Sequence, residues 1–349
     1  MNERVLESLG WRPFFAVQLG DVESKLRPAR VVAVHRGRID VIGGEFEIGV
    51  ALTGKSARLG ITVGDWVLVD LGGSGVRQRL DRFSLFCRRA AGTAAELQLI
   101  AANVDTLFIV TSADRDFNVA RLERYLAIAH DAGSYPVVVI TKADTVDSIE
   151  AFVNEAVHLS PGLLVQAMDA RDPEQVAVLR PWCQAGQTVA LLGSSGVGKS
   201  TLVNSLSGAG QETHAVRAHD QRGRHTTTRR SMHRLPHGGW LIDTPGMREL
   251  QLVDVADAIE DVFSDIAGLA AECRFKDCRH IGEPGCAVQA ALDDGALDAD
   301  RVRRYHKLQA EDRRNSESLA ERRARDRSTG RFYKSVLSEK KRQRDRDRD

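Results

Sequence analysis

The segment Gly193-Ser194-Ser195-Gly196-Val197-Gly198-Lys199-Ser200, followed by Thr201, has the G-x-x-x-x-G-K-[ST] spacing of a phosphate-binding loop. An apolar run, TVALL, leads into it, and a helix-like run, STLVNSL, leads out. Glycines in this pattern let the backbone curl so that its N–H groups face phosphate oxygens, and the helix start adds its positive end. Lys199 then reaches the β- and γ-phosphates of a nucleotide, and Ser200 holds Mg²⁺. A second motif, Thr141-Lys142-Ala143-Asp144, follows the apolar run PVVVI. A carboxylate at the carboxyl end of a parallel strand sits where open α/β sheets bind ligands. Asp144 is placed to accept from the guanine ring N–H and exocyclic amine together, with the Lys142 stem packed along the base. Adenine has no such donor pair, so Asp144 selects GTP and opposes an ATPase reading.

Asp243-Thr244-Pro245-Gly246 follows the run GWLI and matches D-x-x-G. Asp243 is placed to contact Mg²⁺ through water, and the Gly246 N–H to sense the γ-phosphate. Before it lies Gly223-Arg224-His225-Thr226-Thr227-Thr228, where Thr227 or Thr228 completes the Mg²⁺ shell. Hydrolysis also needs an oriented water. The residue after the switch glycine is Met247, which cannot orient one. His225, in the loop beside the switch threonines, is the nearest replacement. The alternative is that His225 only meets RNA or solvent.

Three of the five cysteines cluster in Cys273-x₄-Cys278-x-His280-x₅-Cys286. Three thiolates and one imidazole make a closed tetrahedral set for one structural Zn²⁺. Arg274, Lys276 and Arg279 lie among these ligands, as suits contact with RNA phosphates. Cys87 and Cys183 stand alone and read as small buried hydrophobes.

The elements that must position these groups follow from apolar patterning. Up to about residue 100, short strand-like runs at 30–35, 38–41, 45–50 and 65–70 are broken by glycines, which suggests a small β-barrel of the oligonucleotide-binding type. Its basic residues Arg30, His35, Arg36 and Arg38 either touch RNA or are solvated; Trp66 and Trp182 read as packing residues. From 104 onward, buried-strand runs at 104–111, 136–140, 162–166, 188–192 and 239–242 alternate with helical patterns at 119–132, 147–158 and 173–180. That alternation means a parallel sheet covered on both faces. Beyond about 250 the chain is helix-like and polar around the cysteine cluster. The expected organisation is therefore multidomain: a barrel at 1–100, an α/β P-loop GTPase domain at 101–254 and a helical zinc-binding domain at 255–349. The guanine motif precedes the phosphate loop, the reverse of the usual order, so the GTPase domain is circularly permuted. The C-terminal module then hangs from the switch that moves with nucleotide state.

The 349 residues carry a net charge of +1, with 42% hydrophobic and 28% charged residues, an ordinary globular composition. No uncharged apolar stretch is long enough to span a membrane, and residues 1–20 do not read as a secretory signal, so a cytoplasmic protein is expected. From Arg301 on, Lys and Arg outnumber Asp and Glu by about two to one, which suits a polyanion partner or a solvated tail.

These motifs in this order resemble the family of ribosome small-subunit-dependent GTPase A. The resemblance spans nearly the whole chain, including LIAANVDTLFIVTSADRDFNVARLERYLAIA at 99–129, VVITKAD at 138–144, GSSGVGKSTLVNSL at 193–206, GRHTTTRR at 223–230 and DTPGMRE at 243–249. It implies a factor in late maturation of the small ribosomal subunit, a partner with 16S rRNA, whose GTP hydrolysis that subunit stimulates. It also implies a catalytic role for His225, an N-terminal oligonucleotide-binding barrel and a C-terminal zinc module; a monomer is expected. The chain departs from the family at two places. Thr141 stands where the family has Asn, which would bond purine N7 and brace the phosphate loop. Asp169-Ala170 stands where a Ser-Ala pair supports guanine O6, leaving the Ala170 N–H for that role. The alternative function is an RNA-binding assembly chaperone that uses GTP as a switch with negligible hydrolysis.

Overall fold

The computed structural model describes residues 3–20, 25–72, 75–89, 97–208, 230–243, 250 and 252–316. His225, Thr227, Thr228 and Gly246, and the tail from 317 on, lie outside the described residues. Two short helices, α1 (Glu3–Ser8) and α2 (Pro13–Ala16), open the chain. The glycine-broken runs then form antiparallel strands β1 (Leu26–His35), β2 (Arg38–Gly43), β3 (Glu47–Ala51), β4 (Trp66–Asp70) and β5 (Gly75–Arg79). β1 is the hub, pairing with β2 and β4, while β3 and β5 extend the two sides. Alternation decides what each face buries. Ala29, Val31, Ile39, Val41, Val50, Val67, Val69 and Val76 fill the inside of this barrel-like unit. Trp66 and Leu68 point the other way, into the main core.

Arg30 also points that way, which corrects both expectations for it, contact with RNA and exposure to solvent. It is 2% exposed. Its guanidinium donates to the Leu9 carbonyl and, at 3.0 Å, to the Asn103 carbonyl, and it lies 5.9 Å from the Trp66 ring. Burial pulls its pKa down to about 10, so it stays charged and serves as a structural cross-tie. His35 and Arg38 both pair with Asp40 at the barrel surface.

A hairpin, β6 (Leu85–Arg89) and β7 (Leu97–Ala102), leads into the α/β unit. There β8 (Thr106–Ser112), helix α3 (Val119–Asp131), β9 (Tyr135–Thr141), α4 (Glu150–Val157), β10 (Leu164–Ala167), α5 (Pro173–Val176), β11 (Thr188–Leu192), α6 (Lys199–Leu206), β12 (Arg230–Arg234) and β13 (Trp240–Asp243) follow in turn. The sheet order is β10-β9-β8-β11-β13-β12, all parallel except β12. β8 is buried along its whole length, as expected of a strand covered on both faces. Helix α3 is capped by the Asn118 side chain, which accepts from the Arg121 N–H at 3.0 Å, and buries Leu122, Leu126 and Ala129. The helix expected at 173–180 is only one turn; a 3₁₀ segment (Ala177–Cys183) follows. Pro181 lacks an N–H and its ring crowds the carbonyl four residues earlier, so an α-helix does not run through 177–181. β12, absent from the sequence expectations, pairs with β13 on one side and with β1 on the other, joining the barrel to the α/β sheet.

Helices α7 (Ala256–Val262), α8 (Ser264–Ala271), α9 (Ala287–Asp293) and α10 (Ala299–Ser316) close the fold. Ile259, Phe263, Ile266, Val288, Val302, Tyr305 and Leu308 join the same apolar core as α3 and the back of the barrel. An ionic knot fastens α10 to α3. Glu123, fully buried, accepts from Arg304 at 2.8 Å and from Arg301 at 3.2 Å, and Arg301 also meets Asp265 at 2.6 Å. A carboxylate at that depth persists only because it is paired. Among the described residues, no helix is long and apolar enough to cross a membrane.

Candidate functional site

Parallel strands put their carboxyl ends on one edge of the sheet, and every nucleotide-reading segment leaves from that edge. β8 ends before Asp114, β9 runs into Thr141–Asp144, β10 into Asp169–Arg171, β11 into the phosphate loop, and β13 ends at Asp243. The registers Ser112 to Thr141 and Leu192 to Ile109 keep these ends level. Motifs separated by up to about a hundred residues in the chain thereby line one crevice.

The phosphate loop needs its glycines for two different reasons. At Gly193 a Cβ would lie 2.2 Å from the Val110 carbonyl oxygen, so the close approach of β8 excludes a side chain. Gly196 and Gly198 adopt φ of +85° and +86°, the left-handed region that favours glycine. Gly198 is also the N-cap of α6, so the loop feeds its N–H groups into a helix start. Lys199 is buried, and its ammonium donates to the Ser194 carbonyl of its own loop. Ser200 is exposed at the first turn of α6, with Thr201 partly covered. Ser195 faces solvent, and Val197 packs inward beneath the loop.

Thr141 supplies the brace that the family obtains from Asn. Its buried hydroxyl lies 2.7 Å from the Val197 carbonyl and 3.1 Å from the Thr111 carbonyl, and its single proton donates to the nearer one, in the phosphate loop. The guanine-reading strand is thus tied to the phosphate loop by one hydrogen bond. Lys142 takes φ of +57°, and its ammonium donates to Asp114 Oδ2 at 2.8 Å, tying this loop to the end of β8. Burial raises the Asp114 carboxyl, but the bonds from Lys142, the Asp116 N–H and Ser112 outweigh it and bring it to about 2. Asp114 is therefore ionised throughout the neutral range. Ala143 donates its N–H to the Met168 carbonyl, which joins this loop to the one after β10.

In that second loop the Ala170 carbonyl accepts from the Ser205 hydroxyl of α6 at 2.6 Å. The N–H groups of Asp169 and Arg171 are taken by Gln175 and by the Asp169 carboxylate. The Ala170 N–H has no acceptor among the described residues, so it is available to a base carbonyl. Asp243 closes β13 with an exposed side chain beside the phosphate loop's strand. Thus Thr141, Lys142, Ala143, Asp144, Asp169, Ala170, the loop 193–201 and Asp243 all lie at the carboxyl edge of the parallel sheet.

Three residues of this crevice were missed in the sequence reading. Asp114 lies just past the 104–111 run and orients Lys142. Arg121, in the first turn of α3, donates to the Ser194 hydroxyl. Arg171 bonds both Asp144 and Asp169. None belongs to a spacing motif; only the charge of Arg171 directly after Asp169-Ala170 was visible beforehand.

The second site lies between α8 and α9. The ligand atoms of Cys273, Cys278, His280 and Cys286 all lie within 4.8 Å of one another. Cys273 Sγ and Cys286 Sγ are 3.9 Å apart, and each lies 3.5 Å from His280 Nδ1. Zinc bonds of about 2.3 Å to sulfur and about 2.0 Å to nitrogen give tetrahedral edges of about 3.8 and about 3.5 Å. The thiols are free, and their spacing fits a metal rather than a disulfide. Cys286 is also the N-cap of α9, its sulfur accepting from the Gln289 N–H at 3.3 Å. Cys183, in contrast, is buried in apolar surroundings that push its thiol up to about 12, and it packs as a hydrophobe. Cys87 is half-buried in β6.

Comparison with known proteins agrees with this geometry. The RsgA GTPase family model matches residues 79–253. An ABC transporter model also matches 179–329, a span that contains the phosphate loop. The small ribosomal subunit biogenesis GTPase RsgA of Mesorhizobium japonicum is 49% identical over 315 residues, covering 89% of this chain and 91% of its own. A Vibrio parahaemolyticus relative of the same name, numbered 2, is 47% identical and covers 96% and 94%. The crystal structure of YjeQ from Thermotoga maritima aligns with a TM-score of 0.62 at 26% identity, covering 81% of this chain and 97% of that one. YloQ, described as a circularly permuted GTPase, shares the fold with a TM-score of 0.60 at 23% identity, covering 85% and 98%. With its guanine motif ahead of its phosphate loop on one sheet edge, the chain belongs to the RsgA GTPase family.

Proposed function

We propose that this protein binds GTP in the crevice at the carboxyl edge of the sheet and hydrolyses it to GDP and phosphate on the small ribosomal subunit, during late maturation of that subunit. The observation that carries the reading is the Thr141 hydroxyl on the Val197 carbonyl, which holds the base-reading loop and the phosphate loop as one site. Asp144 reads the guanine N–H pair, Lys142 covers the base, and the Ala170 N–H meets O6. Lys199 swings from the Ser194 carbonyl to the β- and γ-phosphates. Mg²⁺ arrives with the nucleotide and is held by Ser200, by Asp243 through water, and by Thr227 or Thr228. Gly246 senses the γ-phosphate, and His225 orients the attacking water.

Three units divide the work: 1–100 and 255–349 grip 16S rRNA, and 101–254 carries the GTPase. The four ligands Cys273, Cys278, His280 and Cys286 hold one structural Zn²⁺, whose binding supplies folding energy to a loop with little apolar core of its own. The protein acts as a cytoplasmic monomer. The relatives are named GTPases, which favours turnover over a chaperone that merely switches on GTP.

The test is phosphate release from GTP by the purified chain alone, with small subunits, and with large subunits. Stimulation by small subunits only, abolished by Lys199→Ala, is expected. Tight GTP binding without stimulation would overturn the enzymatic reading.

A further inference from the structure

Asp144 is not alone at the base site. Arg171 Nη2 lies 2.7 Å from Asp144 Oδ2 and 2.9 Å from Asp169 Oδ2. The same guanidinium is anchored on Asp169 through Nε, at 2.9 Å from Oδ1 and 3.2 Å from Oδ2, and the Arg171 backbone N–H reaches Asp169 Oδ1 at 2.9 Å. Arg171 is therefore fixed by Asp169 and presents the second N–H of Nη2 to Asp144. This arrangement goes with the departure from the family's serine at position 169. A serine hydroxyl can support a neighbouring carboxylate as a neutral donor. A second carboxylate cannot: Asp144 and Asp169 repel unless a cation lies between them.

We propose that Arg171 is the positioning residue for guanine recognition in this chain, a cationic bridge that lets Asp169 replace the serine and holds the Asp144 carboxylate facing the base. The proposal rests on the assignment of this crevice to GTP. The bridge is compatible with a bound base. A carboxylate has about four lone-pair sites, and the bridge uses one on Oδ2. Oδ1 and the second site on Oδ2 remain for the guanine N–H pair. Arg171 therefore need not leave when guanine arrives; its Nε/Nη2 fork, which lysine lacks, fixes the guanidinium on Asp169 while Nη2 also reaches Asp144.

The experiment is a charge cycle on the full-length protein: wild type, Arg171→Ala, Arg171→Lys, Asp169→Ser and Asp169→Ser/Arg171→Ala. Equilibrium titration measures the Kd of a fluorescent GDP analogue and its competition by unlabelled GDP and XDP, the xanthine nucleotide that lacks the exocyclic amine. Wild type is expected to prefer GDP strongly; if it binds neither nucleotide, the GTP-site assignment itself fails, and the cycle is not reached. Given binding, Arg171→Ala is expected to weaken GDP by about 3- to 10-fold and to narrow the GDP-to-XDP ratio. Arg171→Lys should fall between. Adding Asp169→Ser to Arg171→Ala should recover affinity to within about twofold of wild type, because the repelling charge is gone and a hydroxyl takes its place. A loss that narrows with added salt would match an exposed bridge. Unchanged affinity in Arg171→Ala overturns the proposal. Tighter binding overturns it differently, making Arg171 an occupant that guanine displaces. Failure of the serine to rescue also overturns it, since the loss would then not come from two facing acids.

Discussion

Replacing Thr141 by Val keeps the shape of the side chain and removes one hydroxyl. That hydroxyl is the donor that the Val197 carbonyl of the phosphate loop meets at 2.7 Å, and both residues are at most 1% exposed. A buried carbonyl stripped of its donor costs about 1–3 kcal/mol. In the nucleotide-free protein the loop can rearrange to expose that carbonyl to water. In the bound state it cannot, because the loop must curl around the phosphates with its N–H groups inward. The cost therefore falls on binding, and the Kd for GDP should rise by about 5- to 150-fold. Thr141→Asn restores a donor of sufficient reach and should bind within about threefold of wild type. Titration with a fluorescent GDP analogue reads both, and a thermal melt without nucleotide serves as the control. If Thr141→Val binds GDP as wild type does while its melting temperature falls by several degrees, the bond holds the resting fold and not the loaded loop, and the reasoning is wrong.

Glu123→Gln leaves Arg301 and Arg304 facing a neutral amide in a buried site; breaking such pairs costs about 3–5 kcal/mol, so the melting temperature should drop by about 6 °C or more, with calorimetry as the check. A drop under about 2 °C would mean that the knot contributes little. Removing zinc with a chelator, or substituting Cys278→Ser, should unfold the 272–286 loop and abolish binding to small subunits while GDP affinity stays within about twofold; metal analysis and subunit pelleting read this out. His225→Ala should lower subunit-stimulated phosphate release by about a hundredfold with nucleotide binding nearly intact, and unchanged turnover would remove His225 from the chemistry.

The parts of this site that could be read from the residues are those fixed by spacing. The phosphate loop, the T-K-x-D motif and the Cys/His cluster are each short, and each follows or precedes an element whose type its own residues dictate. What escaped was supplied by partners distant in the chain. Arg121 reaches Ser194 because α3 starts just past the carboxyl end of β8, the strand beside β11, and no local pattern marks that approach. Arg30 looked like a surface base; strand alternation puts it opposite Val31, on the face that meets Trp66, where backbone carbonyls from residues 9 and 103 satisfy it. Thr141 looked like a weakened Asn, yet its shorter side chain reaches the Val197 carbonyl directly. β12 escaped because its residues, RSMHR, alternate polar groups on a strand whose partners are β13 and β1.

The permuted order has a mechanical consequence that α3 makes concrete. The chain leaves the sheet at the end of β13 and returns across α3 as helices α7 to α10. Arg121 in the first turn of α3 contacts the phosphate loop at Ser194. One turn further, Glu123 binds Arg301 and Arg304, and Arg124 binds the Leu250 carbonyl and Glu311, each at 3.0 Å. Any displacement of α10 must therefore either break the Glu123 pairs or carry α3 with it. Breaking them costs about 3–5 kcal/mol, whereas coupling between sites in proteins is typically about 1–3 kcal/mol. The Glu123 pairs thus tie α10 to the helix whose first turn carries the Arg121–Ser194 contact. In the unpermuted arrangement the chain would continue from β13 to further strands of the same sheet; here it continues into the helices that flank the Cys/His cluster, which places their attachment one helix away from the phosphate loop.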